Sequence, residues 1–236
     1  MTTLLYHADS YLREMDAIVT RVEGARVALD RTVFYAQGGG QPADHGTLDW
    51  NGGQARVVEV RKVGEEVLHT LEGPLPPAGA AVHGVLDWER RYALMRAHTA
   101  THVLDGVIWR DYGALVTGSS MEPGSARQDF ELEHMSANFA VEVEQRTNAE
   151  LAADREVRAR KLPRAEAFAI PHLIRTKINL LPEGLQHVRV VEIVGLDIQA
   201  DGGTHVARTS EVGTIRVVGH ESKGRINKRL RLAIGT

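Results

Sequence analysis

The sequence predicts an α+β protein in two parts. An N-terminal β-barrel-like domain carries a glycine-rich motif, and an α+β domain follows with helices packed on an antiparallel sheet. Three observations carry that prediction. Short alternating apolar and polar segments, broken by turn residues, fill the first ninety or so positions. A long helical period then begins near Asp87, and beyond it strand and helix signals mix. The boundary is placed at 86/87, giving domains 1–86 and 87–236.

In chain order, "AIVTRVEGARVALD" alternates around a turn at Glu23–Gly24 and predicts a hairpin. "GTLDWNGGQARVVEV" repeats that arrangement with Asn51-Gly52-Gly53 at the bend, and "VGEEVLHTLEG" adds a short strand. "EGPLPPAGA" holds three of the eight prolines and reads as a loop or linker. From Asp87 to Asp111, apolar residues such as Leu94, Met95, Val103, Leu104 and Ile108 recur near helical period; Asp87 is the cap and Gly113 the stop. "SANFAVEVEQRTNAELAADRE" predicts a second helix with Ser136 as N-cap, while "RQDFELE", "HVRVVEIVG" and "VGTIRVVGH" predict strands.

Composition narrows the class. The chain has 236 residues, 43% of them hydrophobic, a formal net charge of −3 and no cysteine. Disulfides, thiolate nucleophiles and cysteine metal ligands are therefore excluded. No overall basic field points to nucleic acid, so any such contact must be local. No apolar run approaches the roughly 20 residues of a membrane span, and the N-terminus has scattered charges rather than a signal-peptide core. A cytoplasmic protein is expected.

His98 and His102 stand four residues apart in the first predicted helix, on one face with Leu94 and Met95. Two inward imidazoles are costly to bury without partners, and a divalent metal would satisfy both. Such a pair is also found simply hydrogen-bonded. Metalloprotease chemistry would want Glu at position 99, where Thr99 stands. "QADGGTHVARTSEVG" adds Asp201 and His205, separated by four with Gly202 and Gly203 between, a spacing suited to a tight loop. A nitrogen- and oxygen-rich zinc site, or a polar turn with an Asx-type bond at Asp201 and an exposed His205, are both compatible with it. In "TVFYAQGGGQPADHG", Gly38, Gly39 and Gly40 let backbone amides approach a ligand, or form a hairpin tip; no Gly-Lys-Ser/Thr follows, so it is not a P-loop. Two basic stretches, Arg155–Arg164 and Lys223–Arg231, read either as phosphate contacts or as solvated charged faces.

Together "FYAQGGGQPADHG", "HTATHVL" and "DGGTHVARTSEVG" resemble the signature segments of the alanyl-tRNA synthetase editing domain. The likeness includes its free-standing trans-editing relatives, the AlaX proteins of the medium-length class, and spans nearly the whole chain. The resemblance implies Zn2+ held by His98, His102 and His205, with Asp201 where the family typically has cysteine. Aspartate is the harder donor and holds zinc less selectively. It also implies hydrolysis of the ester joining serine, or glycine, to the alanine tRNA, because an alanine pocket rejects an extra hydroxyl poorly and a second site must correct the error. Thr32 is the candidate for reading the serine hydroxyl, or else an ordinary strand residue. Gln41 and the amides of Gly38–Gly40 would hold substrate or a developing oxyanion. Asp44 is a substrate-binding candidate with a structural alternative. The closing "ESKGRINKRLRLAI" resembles the family's basic strand, so Lys223, Arg225, Lys228 and Arg229 are assigned to tRNA. Zinc could activate water or anchor the substrate amino group; the reading leans to anchoring. No nucleotide cofactor or membrane partner is expected. A deacylase for another aminoacyl ester and a non-catalytic RNA-binding module are the alternatives, the glycine motif arguing against the first.

Overall fold

The computed structural model describes residues 1–133, 136–178, 181 and 184–235. The chain forms two compact units, Met1–Ala93 and Leu94–Thr236.

The first unit contains β1 (Thr3–Leu4), β2 (Glu14–Glu23), β3 (Arg26–Leu29), β4 (Arg31–Thr32), β5 (Gly46–Trp50), β6 (Gly53–Val63), β7 (Glu66–Glu72) and β8 (Ala81–Leu86). Six strands close a barrel in the order β2-β3-β7-β6-β5-β8, which leaves no free edge among them. β1 and β4 pair in parallel outside it. The anticipated hairpins are β2–β3, turning at Gly24 with φ +58°, and β5–β6, turning at Asn51–Gly52. Inward residues of these strands, including Val19, Val27, Leu48, Val57, Val67 and Val82, pack around Phe34. Gly46 is required there: a Cβ would meet the Val85 carbonyl oxygen at 2.0 Å and the Phe34 ring at 2.8 Å.

Helix α1 (Trp88–Tyr112) begins in the first unit and continues into the second. Asp87 caps it, its carboxylate accepting the Arg90 N–H at 3.1 Å, and Gly113 ends it at φ +64°. The sequence predicts one inward face. Instead, every residue from Leu94 to Ile108 except Arg96 is buried, so the helix is enclosed on all sides and Thr99, Thr101 and Asp105 lie inside with the apolar positions.

The second unit continues with β9 (Val116–Glu122), β10 (Ser125–Glu131), α2 (Ala137–Ala152), β11 (Val157–Pro163), α3 (Arg164–Phe168), β12 (His187–Ile193), β13 (Asp197–Ala200), β14 (Ile215–Ser222) and β15 (Asn227–Ile234). Ser136 caps α2 by accepting the Phe139 N–H at 3.2 Å. Its strands form two antiparallel sheets, β14-β15-β10-β9 and β11-β12-β13, rather than the single sheet anticipated. β9, β11 and β13 escape sequence reasoning. β11 does so because it is a charged edge strand, "VRARKLP", that exposes most of its residues and lacks an apolar face. Among the described residues, no helix is long and apolar enough to cross a membrane.

Candidate metal centre

His98 and His102 occupy successive turns in the middle of α1, and Asp201 and His205 lie in the loop after β13. The second unit folds these together. The ring centroids of His98 and His205 are 4.3 Å apart, those of His102 and His205 4.7 Å, and those of His98 and His102 5.0 Å. One potential ligand atom from each of the four residues lies within 4.8 Å of all the others. Asp201 Oδ2 is 3.0 Å from His205 Nε2, and Asp201 Oδ1 is 3.6 Å from His98 Nε2. Bonds of about 2.0–2.2 Å to a tetrahedral ion place ligand atoms roughly 3.3 Å apart. The donor set and its spacing fit a zinc-sized cation. Asp201 also makes the Asx-type bond, accepting the Gly203 N–H at 2.7 Å, but His205 is buried rather than exposed.

Electrostatics favour a cation at this point. Burial pushes His98 well below its ordinary value and His205 down to about 4, so both rings are neutral at pH 7 with lone pairs available. Burial opposes charge on Asp201, yet the neighbouring His98 and His205 outweigh it and hold the carboxyl well below the usual range. The neutral rings of His98 and His205 offer lone pairs beside an ionised carboxylate, whose charge is shared with Arg189, its Nη1 3.7 Å from Asp201 Oδ2.

The residues behind these four were not anticipated. Thr99, between the two histidines, faces His205: its hydroxyl is 3.2 Å from His205 Nδ1 and accepts the Val206 N–H at 3.2 Å. His102 Nδ1 is 3.8 Å from Asp197 Oδ2. Asp197 in turn accepts from Arg175 Nε at 3.2 Å and Gln199 Nε2 at 2.8 Å. Asp105 accepts from Gln128 Nε2 at 2.7 Å; burial, reinforced by the Asp197 carboxylate, pushes its own carboxyl up to about 8 and keeps it protonated at neutral pH. The available signal was position: Thr99 lies inside the histidine motif and Asp105 three residues after it.

The barrel residues are placed differently. Thr32 is fully buried, its hydroxyl 2.8 Å from His69 Nε2 and accepting the Phe34 N–H at 3.0 Å. Gly38 and Gln41 exchange backbone hydrogen bonds of 3.1 and 2.9 Å, closing a two-residue turn with Gly39 and Gly40 exposed at positive φ. Asp44 is buried and saturated: it accepts the Tyr35 N–H at 2.6 Å and an ion pair from Arg91, whose guanidinium also reaches the Ser10 and Val33 carbonyls. This is the structural alternative for Asp44, and its oxygens are committed to the fold. In the β14–β15 hairpin, Arg225 is exposed and Lys223 pairs with Glu221 at 2.9 Å. Lys228 is buried, its ammonium donating to the Gly224 and Arg225 carbonyls, and Arg229 forms a two-pronged pair with Asp129 at 2.7 and 2.8 Å. In the other basic stretch, Arg155 pairs with Glu150, and Arg158 with Glu156.

Two family models match. One, described as tRNA synthetases class II (A), covers residues 7–90, and the other, the Threonyl and Alanyl tRNA synthetase second additional domain, covers residues 188–231. The matched regions define a protein carrying segments related to tRNA synthetases, one of them an additional domain of the threonyl and alanyl enzymes. More narrowly, the chain belongs to the alanyl-tRNA editing protein AlaX-M family. It is 40% identical to the Alanyl-tRNA editing protein AlaX-M of Saccharolobus solfataricus and 37% identical to that of Methanosarcina barkeri, covering 98% of both chains in each case. It is also 41% identical to the Alanine--tRNA ligase of Pyrobaculum neutrophilum over 92% of this chain, a match that spans only 25% of the ligase.

Proposed function

We propose that this protein is a trans-editing deacylase: it hydrolyses the ester of alanine tRNA mischarged with serine, and secondarily with glycine, using a zinc ion held by His98, His102, Asp201 and His205. The observation that carries this reading is the buried convergence of three imidazoles and a carboxylate in a chain whose full-length relatives are named for alanyl-tRNA editing. When bound, the ion supplies Lewis-acid polarisation or a fixed anchor for the substrate amino group. In the reaction, water adds to the ester carbonyl carbon, the bond to the adenosine oxygen breaks, and a proton passes to that oxygen. The neutral rings of His98 and His205 and the ionised Asp201 favour holding a cation at physiological pH without a competing proton. Thr99 supports this by keeping the His205 ring oriented from its Nδ1 side.

Recognition is assigned to both units. On the barrel, the exposed backbone of Gly38, Gly39 and Gly40 is the candidate for substrate contact, whereas Gln41 is fully buried and could reach a substrate only if the turn rearranged. Thr32 can read a serine hydroxyl only by exchanging its bond to His69, so Thr32→Val is expected to affect stability at least as much as specificity. On the β14–β15 hairpin, Arg225 and Lys223 are the candidates for tRNA phosphates, while Lys228 and Arg229 shape the hairpin from within.

The test is a deacylation assay with serine-, glycine- and alanine-charged tRNA(Ala), on protein stripped by chelator and then reloaded with zinc. Zinc-restored hydrolysis of the seryl ester, with the alanyl ester spared, is the expected result. No hydrolysis with or without zinc, alongside intact tRNA binding, would replace this reading with an RNA-binding module.

A further inference from the structure

The three histidines of the centre are not supported alike. His98 and His205 each direct Nε2 toward Asp201. His205 is backed at Nδ1 by Thr99. His102 instead has its Nδ1 on the side of Asp197, and that nitrogen is buried and forms no hydrogen bond among the described residues. A buried ring nitrogen beside a carboxylate, just beyond hydrogen-bond distance, is an arrangement a small rotation of the ring would close.

Asp197 is built to stay where it is. It is 5% exposed, and Arg175 Nε and Gln199 Nε2 hold one oxygen each. Gly106, one helical turn beyond His102, is what lets β13 come so near α1. A Cβ at position 106 would lie 3.0 Å from the Asp197 Cβ and 2.9 Å from Leu196 Cγ, so any larger residue would push Asp197 from the ring.

We propose that Asp197 is a positioning residue of the metal centre: by accepting from His102 Nδ1 it fixes the ring's tautomer and orientation and leaves Nε2 for the cation. All three rings then present Nε2, with Asp197 holding the His102 ring from behind as carboxylates do behind metal-binding histidines. This rests on the metal reading above.

The test uses the full chain, stripped of metal and titrated with zinc against a competing chromophoric chelator. Cobalt(II) absorption provides a view of ligand geometry, and melting of the stripped protein reports the fold. Asp197→Asn keeps the shape and is expected to weaken zinc binding roughly 10- to 100-fold and shift the cobalt spectrum; because it also removes the charge paired with buried Arg175, metal-free melting is expected to fall, and zinc affinity is read well below that transition. In the zinc-loaded wild type, nitrogen-15 imidazole spectra are expected to show His102 protonated at Nδ1 and metal-bound at Nε2, a readout that needs no variant. Wild-type zinc binding with Asp197→Asn unchanged in affinity and spectrum would overturn this proposal alone, as would a metal-bound Nδ1. A wild type that takes up no cation would overturn the metal reading, and this proposal with it.

Discussion

Arg91 with Asp44 in the first unit and His98, His102, Asp201 and His205 in the second are all deeply buried polar groups, yet they meet burial in opposite ways. Every nitrogen of the Arg91 guanidinium has a protein acceptor, and Asp44 also takes a backbone amide. Thr32 and His69 satisfy each other beside them. In the second unit the imidazoles face one another and a carboxylate, donor atom toward donor atom. Buried polar groups that pair off one with another serve the architecture; four ligand-type atoms gathered within 4.8 Å of one another are the candidate place for a cation. That contrast separates Asp44, which the sequence offers with a structural alternative, from Asp201, which it offers as a metal-ligand candidate.

The sharpest way to break the comparison is His98→Ala. It is expected to drop deacylation of seryl-tRNA by at least about 100-fold and abolish zinc retention, measured by elemental analysis, while leaving metal-free stability near wild type. Retained zinc and activity would remove the distinction between the two regions. Arg91→Leu is the counterpart in the barrel. Stranding the buried Asp44 carboxylate should cost about 3–5 kcal/mol in urea unfolding, equally with and without zinc. A loss that zinc repairs would contradict the structural assignment.

His69 sharpens the comparison through pH. Burial lowers it to about 4, whereas the unfolded chain titrates near its ordinary value of 6.5. Between those values the unfolded state binds more protons, so this contribution is fully present above pH 6.5 and is lost as pH falls toward 4. The loss amounts to about 3 kcal/mol by order of magnitude. His69→Asn should flatten that slope in urea unfolding of metal-free protein across pH 4–7; an unchanged slope would assign it elsewhere. The smallest effect is expected at the β14–β15 hairpin. Arg225→Ala should weaken tRNA binding a few-fold and reduce the salt-dependence slope by about 1, without affecting melting. Lys228→Ala should act mainly on the hairpin's stability, and a binding loss there with unchanged melting would reverse the two roles.

Sequence alone determined much of this protein. Alternation and turn residues specify the barrel hairpins, because a strand's period of two and a glycine's tolerance of positive φ are local properties. Asp87, Gly113 and Ser136 mark helix ends because capping acts over three or four residues. The four-residue spacings of the histidine helix and the Asp201 loop, and the family they resemble, are equally local. Only the tertiary structure decided what lies about a hundred residues away. It set Asp201 and His205 against His98 and His102, placed Asp197 behind the ring of His102, gave Asp44 to Arg91, and folded the charges of Lys228 and Arg229 inward. Periodicity says which face of an element is apolar; it does not say which distant carboxylate will occupy the space a missing Cβ at Gly106 leaves open. Charge partnership depends on that through-space packing, so the same residue type serves as fold, ligand or support according to what burial brings beside it.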